Sequence, residues 1–252
     1  MIKRLLIYNS GGGLGDALQI LPLITTFKSE FSYAKIYYLS SHSNHFDYAL
    51  KDFNCNVETL DLDIKYFGFR LWHAFAIKNI IKKKNIDDFD LIIDLQSKLR
   101  NSLILKLLPY KRFISSCMNF QLSKPRIRIK KNKKINTTII QAINYMYNTN
   151  YVLKDFDINK IDKKFFNESE RLLPKNNYVG FSITQGNVYR KKEWPIKNIF
   201  ECCKKLKEKN KIPVFLIEKS NRELKNKIQN KIPKAIFPEP KHSPHPTIPS
   251  SV

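Results

Sequence analysis

Glycine is scarce in this chain, with seven in 252 residues, and four of the seven fall in one stretch of five, Gly11-Gly12-Gly13-Leu14-Gly15. Cysteine is rarer still. Cys55, Cys117, Cys202 and Cys203 include no CxxC pair, and no histidines stand at zinc-ligand spacing, so a zinc module and a disulfide scaffold are both excluded. These thiols read as buried or free in a reducing cytosol. His42 and His45 have no further ligands near them and read as surface side chains; no metal site is expected. No apolar run approaches the ~20 residues that span a bilayer, and the run before the first glycines is too short for a signal-peptide core. Acidic residues are few: 22 against 45 basic ones, for a formal charge of +23. That imbalance points to nucleic acid, nucleotide-bearing substrates or an anionic membrane face, although lysine is abundant throughout the chain.

The glycines that are present carry the chemistry. They follow the apolar strand Leu5-Leu6-Ile7-Tyr8 and precede a helical pattern from Ala17 to Phe27, the opening of a ligand-binding α/β fold. A dinucleotide fingerprint places glycines at i, i+2 and i+5; from Gly11 the last position is Asp16, and from Gly13 it is Leu18. A P-loop needs Lys followed by Ser or Thr, and Gly15 is followed by Asp16 and Ala17. An anionic side chain at a helix start repels phosphate and is itself favoured by the unpaired amides and the helix dipole. Asp16 as a plain N-cap is one reading. A cap needs no backbone stripped of side chains, whereas a substrate lying against the turn does. Pro22, inside the helical pattern, is expected to bend the helix.

Farther along, Lys35-Ile36-Tyr37-Tyr38-Leu39 and, more weakly, Asn56 to Leu60 read as strands, with a helix between them over Phe46 to Phe53. Leu71 to Lys83 has helical spacing, and Asp90-Leu91-Ile92-Ile93-Asp94-Leu95 is the clearest buried strand. Gln96 to Ser102 then leads into a helix over Leu103 to Leu108. The alternation favours a parallel sheet covered on both faces. Lys124 to Lys134 carries seven cationic side chains and reads as a solvated loop or an anion-binding one. A helix is expected over Ile139 to Tyr147, and Val152 to Pro174 is polar and poorly periodic. A second unit opens with the strand Tyr178 to Ile183, the polar turn Thr184-Gln185-Gly186-Asn187, the cations Arg190-Lys191-Lys192, and Trp194-Pro195. A helix over Ile196 to Lys209 and a strand over Val214 to Ile217 follow. Beyond Ile232 six prolines exclude regular helix or a central strand.

The expected organisation is an N-terminal Rossmann-like lobe over 1–150, a connector over 151–176, a partial C-terminal lobe over 177–232 and an irregular tail over 233–252. One lobe offers a carboxylate among glycines, the other hydroxyls and lysines. Group transfer from a phosphate-bearing donor to an acceptor hydroxyl needs both, a base on one side and cations on the other. Asp61-Leu62-Asp63 and Asp88-Phe89-Asp90 are Asp-x-Asp pairs of the kind that hold metals, but the second precedes its strand, at the wrong end for a ligand.

The chain resembles glycosyltransferase family 9, the lipopolysaccharide heptosyltransferases. The resemblance rests on Gly15-Asp16-Ala17-Leu18-Gln19-Ile20-Leu21-Pro22, on Asp90 to Gln96 with Arg100 and Ser102, and on Lys192-Glu193-Trp194-Pro195 opening a helix. It runs in order from the N-terminus to about Ile217. It implies an α/β, GT-B-like fold of two Rossmann-like lobes with parallel sheets. It also implies inverting, metal-independent transfer of a sugar, heptose by analogy, from an ADP-sugar to a lipopolysaccharide core acceptor. On that resemblance Asp16 deprotonates the acceptor and Lys192 neutralises the departing diphosphate. Gly12, Gly13, Gly15, Gln96 and Arg100 line the acceptor. Ser182, Thr184, Gly186, Asn187 and Glu223 line the nucleotide sugar. No cofactor is implied beyond that donor. The expected partners are the donor and an anionic glycolipid, in the cytoplasm or peripherally at the inner membrane face.

Two departures stand out. Ser97 replaces the family's usual glycine, and no Asp-Thr-Gly or Asp-Ser-Gly turn follows Ile217. A lobe of this kind needs roughly a hundred residues or more, so the second lobe is expected to be incomplete. A shortened relative that binds the acceptor without transferring is the alternative. A basic nucleic-acid binder ranks lower, because no aromatic-basic interleaving or known module accompanies the charge.

Overall fold

In the computed structural model the run Leu5 to Tyr8 is inaccessible to solvent and forms the middle of a five-stranded parallel sheet. The structure describes residues 2–10, 13–40, 45–53, 55–64, 68–175, 177–183, 194–217 and 221–239. The chain divides into two units, Met1–Lys160 and Ile161–Val252.

In the first unit the elements run β1 (Arg4–Tyr8), α1 (Leu14–Leu18), α2 (Leu21–Glu30), β2 (Lys35–Leu39), β3 (Glu58–Thr59), α3 (His73–Lys83), β4 (Phe89–Asp94), α4 (Leu99–Leu105), β5 (Tyr110–Ser115) and α5 (Ile135–Tyr147). The strand order is β3-β2-β1-β4-β5 with every pairing parallel. The chain steps from β1 outward to β3, then returns to the other side of β1 for β4. That reversal leaves a crevice at the carboxyl ends of β1 and β4, where open α/β sheets bind ligands. Register sets Tyr8 opposite both Leu39 and Asp94 at that end.

Successive strand residues point to opposite faces, and here both faces are buried. Leu6, Tyr8, Ile92 and Phe113 share one core with Ile77 of α3 and with Ile104 and Leu105 of α4. Their neighbours Leu5, Ile7, Leu91, Ile93 and Ile114 are equally buried. Elsewhere in the unit α2 packs on α5 and α5 on β5.

The single bent helix expected over Ala17 to Phe27 is two helices instead. Pro22 occupies the second position of α2, where its missing N–H has no intrahelical partner to lose, so it starts a helix rather than bending one. The helix expected over Phe46 to Phe53 is a series of turns closed by a short 3₁₀ turn, Lys51–Phe53. Buried Phe46, Leu50 and Phe53 anchor those turns, and Phe46 meets Tyr38 edge-on at 5.0 Å between ring centroids. β5 had no clear signal, because its exposed first half contains Lys111 and Arg112. Residues 124–134 form no helix or strand, as expected of a loop, although Ile127 is buried between exposed Arg126 and Arg128.

The two Asp-x-Asp pairs have structural work. Asp90 sits at the amino end of the sheet and accepts from the Lys3 and Arg4 amides at 2.8 and 3.0 Å and from Lys111 Nζ at 2.7 Å. Asp63 pairs with Lys84 at 3.1 Å, and the Asp61 carbonyl accepts from the same ammonium at 2.7 Å. All four cysteines are free thiols.

The second unit holds α6 (Lys163–Leu172), β6 (Tyr178–Ser182), α7 (Ile196–Glu208), β7 (Ile212–Leu216) and α8 (Arg222–Lys231). β6 and β7 pair in parallel, and Phe181 stacks on Phe215 at 5.0 Å over a core with Ile199, Cys203 and Ile228. α6 lies within the stretch read as poorly periodic; its start is capped by Asp162, which accepts from the Lys164 amide at 2.9 Å. Beyond Pro233 the backbone still meets the sheet: Phe215 N donates to Ile236 O at 2.8 Å, and Ile236 N to Pro213 O at 3.0 Å. Proline there bars regular elements but not a one-residue bridge beside β7.

Burial opposes the charge on Asp90, but the Lys111 ammonium and the two amides outweigh it and hold the carboxyl at about 2. A folded value below the ordinary 3.8 stabilises the fold above about pH 4 and is lost as pH falls through 2. Asp90→Asn is therefore expected to lower unfolding free energy by about 2 kcal/mol at pH 7, with the gap closing in acid. Urea unfolding at pH 7 and pH 3 measures it, and an equal gap at both would contradict the assignment.

Candidate active site at the carboxyl edge of the first sheet

Where β1 ends, Asn9 and Ser10 remain buried and polar. Asn9 connects three segments. Its amide donates to Leu39 O of β2 at 3.0 Å, its Nδ2 donates to Asp16 O of α1 at 3.2 Å, and its Oδ1 accepts from Gln96 Nε2 beyond β4 at 2.8 Å. The start of α1 is thus tied to both neighbours of β1. Asp16 is the third residue of that helix and is half-buried. Its amide donates to Gly13 O at 3.1 Å, and its carboxylate accepts from Gly13 N at 3.4 Å. The second contact is long for a charged acceptor, so the carboxylate is turned back toward its own turn without being tightly engaged there. Burial, and next the Asp16 charge, push the phenol of Tyr38 above its usual range.

The glycines have distinct surroundings. A Cβ on Gly15 would meet nothing within 4 Å, whereas one on Gly13 would stand 3.4 Å from Asp16 Oδ2. Gly15 therefore marks open space against the backbone, which is what a ligand resting on the turn requires.

Beneath this surface lies Asp94, the last residue of β4, with no solvent exposure. Ser102 Oγ of α4 donates to it at 2.5 Å, Ser115 Oγ of β5 at 2.9 Å and the Gln96 amide at 2.9 Å. One carboxyl group thereby joins β4, α4, β5 and the loop bearing Gln96. Burial pushes Asp94 up to about 6 despite these three donors.

Arg100 of α4 is half-buried, with its Nε enclosed and without a hydrogen-bond partner. Its charge reaches Tyr8 and His73. His73, at the start of α3, is buried, and burial followed by the charges of Arg70 and Arg100 lowers its pKa below the usual imidazole range. Its Nδ1 accepts from the Arg70 amide at 2.9 Å, so the other ring nitrogen carries the proton.

The first unit therefore brings together Gly13, Gly15, Asp16, Gln96 and Arg100 at one sheet edge. In the second unit Ser182 is exposed at the carboxyl end of β6, and Glu223 is exposed in the first turn of α8, following β7. Gly12, Thr184, Gly186, Asn187 and Lys192 lie outside the described residues. Among the described residues no three of His, Cys, Asp and Glu are grouped to hold a metal ion. The sequence reading did not single out Asn9, Tyr38, His73 or Ser115, nor Asp94 as an anchor. Asn9 had a signal, a polar residue immediately after a wholly apolar strand; Ser115 had none.

No family model matches the chain, and no curated protein does. Solved structures do. The glycosyl transferase family 9 protein of Veillonella parvula is matched with TM-score 0.61 at 14% identity, over 97% of this chain and 72% of that one. Escherichia coli heptosyltransferase WaaC, solved with ADP, is matched with TM-score 0.63 at 14% identity, over 95% and 75%. A UDP-GlcNAc 2-epimerase from Methanocaldococcus jannaschii is matched with TM-score 0.52 at 12% identity, over 96% and 74%. The fold is thus α/β and GT-B-like, with a parallel sheet in each unit, and it is shared by transferases and an epimerase.

The raised carboxyl has a testable sign. With a folded value near 6 against an ordinary 3.8, the folded chain holds the Asp94 proton more tightly, so this group's contribution to stability is lost as pH rises through that window. Asp94→Asn, which has no such proton, is expected to gain about 2 kcal/mol relative to the parent chain between pH 4 and pH 7. Chemical unfolding of both proteins across that range measures the gain; a flat difference would contradict it.

Proposed function

We propose that this chain is a glycosyltransferase of the family 9 type, moving a sugar, heptose on the best analogy, from an ADP-sugar to a lipopolysaccharide core acceptor. The observation that carries the reading is the placement of Asp16. It stands at a helix start, beside open backbone, at the β1–β4 reversal of a fold that heptosyltransferases share. The epimerase with the same fold tempers fold as an argument, so the weight rests on this carboxylate and its neighbours.

In this reading the acceptor lies against Gly12, Gly13 and Gly15, with Gln96 and Arg100 as polar contacts. Asp16 takes the proton of the attacking hydroxyl, the oxygen bonds to the anomeric carbon with inversion, and the bond from that carbon to the diphosphate breaks, releasing ADP. Lys192 stabilises the charge that gathers on the diphosphate, a role that suits a transfer without metal. The donor lies against the second unit, with Ser182, Thr184, Gly186 and Asn187 near its phosphates and Glu223 near its ribose. The start of α7, with no acid in its first turn, suits the phosphates because unpaired amides there attract anions, and Glu223 in the first turn of α8 suits a ribose hydroxyl instead. No cofactor enters beyond the donor itself. Among the described residues no helix is long and apolar enough to cross a membrane. The proposed setting is the cytoplasm, peripherally at the inner membrane face.

The test is transfer by the purified full chain, supplied with ADP-heptose and a lipid-linked core acceptor. Asp16→Asn is expected to lower kcat by about 10²–10⁴ with little change in donor KM, the loss typical of a missing general base. Equal turnover by the two proteins would eliminate Asp16 as the base.

A further inference from the structure

The helices α3 and α4 pack side by side over one face of the first sheet, and their inward residues Ile77, Ile104 and Leu105 belong to the same core. Their outward sides are therefore turned the same way. Those sides carry large apolar residues near the helix starts. Leu71 and Trp72 just before α3, Phe75 in its first turn, and Leu99, Leu103 and Leu107 along and just past α4, are all exposed, Phe75 by 83% and Leu71 by 70%. Leu99 and Leu103 are one helical turn apart and form an apolar stripe on α4, while Leu71 and Trp72 lie in the turn that leads into α3, just before Phe75. Along α3 the side of Phe75 continues into Lys78 and Lys82, three and seven residues beyond it, both exposed.

The charges on these two helices are cationic, and an exposed acid, Asp63, pairs with Lys84 at the far end of α3. Lys78, Lys82, Lys83 and Lys98 are exposed, and no Asp or Glu occurs between residues 70 and 86 or between 95 and 113. Apolar and aromatic side chains exposed together and edged by ammonium groups match the boundary between the headgroups and acyl chains of an anionic bilayer. Tryptophan at such a rim favours the headgroup level. The same lysines oppose pairing of this face with a second copy of a chain whose net charge is already +23.

We propose that the outward face of α3 and α4 docks on an anionic lipid bilayer, with Trp72, Phe75 and Leu103 entering the interface and Lys78, Lys82 and Lys98 meeting the lipid phosphates. The face borders the candidate site. Trp72 meets the His73 ring edge-on at 5.7 Å between centroids, His73 feels the charge of Arg100, and Leu99 adjoins Arg100 in sequence. Docking here presents the carboxyl edge of the sheet to a headgroup that carries sugar. That benefit rests on the glycolipid reading above; the docking itself rests on exposure and charge alone.

The chain has two tryptophans, so Trp194→Phe leaves Trp72 as the sole reporter. Binding to phosphatidylcholine vesicles with and without phosphatidylglycerol is followed by flotation, and depth by quenching with acyl-brominated phosphatidylcholine. The full chain is expected to float with the anionic vesicles and to be released by salt, with Trp72 emission shifted to the blue and quenched by the brominated chains. The pairs Phe75→Ser with Leu103→Ser, and Lys78→Glu with Lys82→Glu, are each expected to cut the bound fraction about tenfold. These side chains are exposed, so the variants should melt like the parent. Failure to float with anionic vesicles overturns the proposal, as does binding in which Trp72 stays unquenched. Sedimentation showing a dimer that Phe75→Ser with Leu103→Ser dissolves, without vesicle binding, would assign the face to a second copy instead. Sugar transfer takes no part in these readouts, so they can fail while the transferase reading stands, and the reverse.

Discussion

A carboxyl group with no access to water holds this site in shape. Asp94 ends the strand next to the sheet's central β1, and its oxygens are shared among a serine of α4, a serine of β5 and the backbone of the Gln96 loop. Burying a carboxyl is costly unless its lone pairs are satisfied, and satisfying them here fixes three neighbouring segments at once. The raised proton affinity is the residue of that cost: three hydrogen bonds favour the charge, and burial outweighs them. From this anchor the order passes outward, from Gln96 to Asn9 and from Asn9 to the backbone of Asp16. The Asp16 carboxylate thus sits on a helix turn whose backbone is held by Asn9, which Gln96 holds in turn.

The sheet order decides where this can happen. Because the chain reverses direction across the sheet between β3 and β4, the loops after β1 and β4 leave toward opposite sides and part the surface between them. Asp90, on the same strand as Asp94 but at its other end, is held by two amides and a lysine far down in pKa. Two aspartates four residues apart on one strand thereby have opposite electrostatic settings. One closes the amino end of the sheet, and the other organises the edge where ligand chemistry belongs. The second unit repeats strand, helix, strand on a smaller scale, with Ser182 and the start of α8 at its own carboxyl edge.

Much of this was legible in the residues. The strands β1, β2 and β4 announce themselves because parallel strands buried on both faces leave unbroken apolar runs, and the glycines with Asp16 stand out because glycine is otherwise so rare. β5 escaped because an edge strand need bury only part of its length, and Lys111 and Arg112 occupy the exposed part. α6 escaped because it buries none of its residues, and the Asp162 cap marks its start. At Pro22 the apolar pattern predicts a bend because periodicity cannot distinguish one kinked helix from two abutting ones. Within the site, Asp16, Gln96 and Arg100 came from local pattern and family resemblance. The partnership of Asp94 with Ser115 is invisible at the level of spacing, since it joins residues 21 apart through strand pairing.

Ligand-induced amide shifts in the NMR spectrum of the full chain test the central claim most directly. An acceptor sugar carrying the reactive hydroxyl is expected to perturb Asn9, Gly13, Asp16 and Gln96, and ADP to perturb Ser182 and the first turn of α8. Perturbation concentrated at the opposite edge of the first sheet, around Asp90 and Lys111, or none on adding the acceptor, would contradict the account.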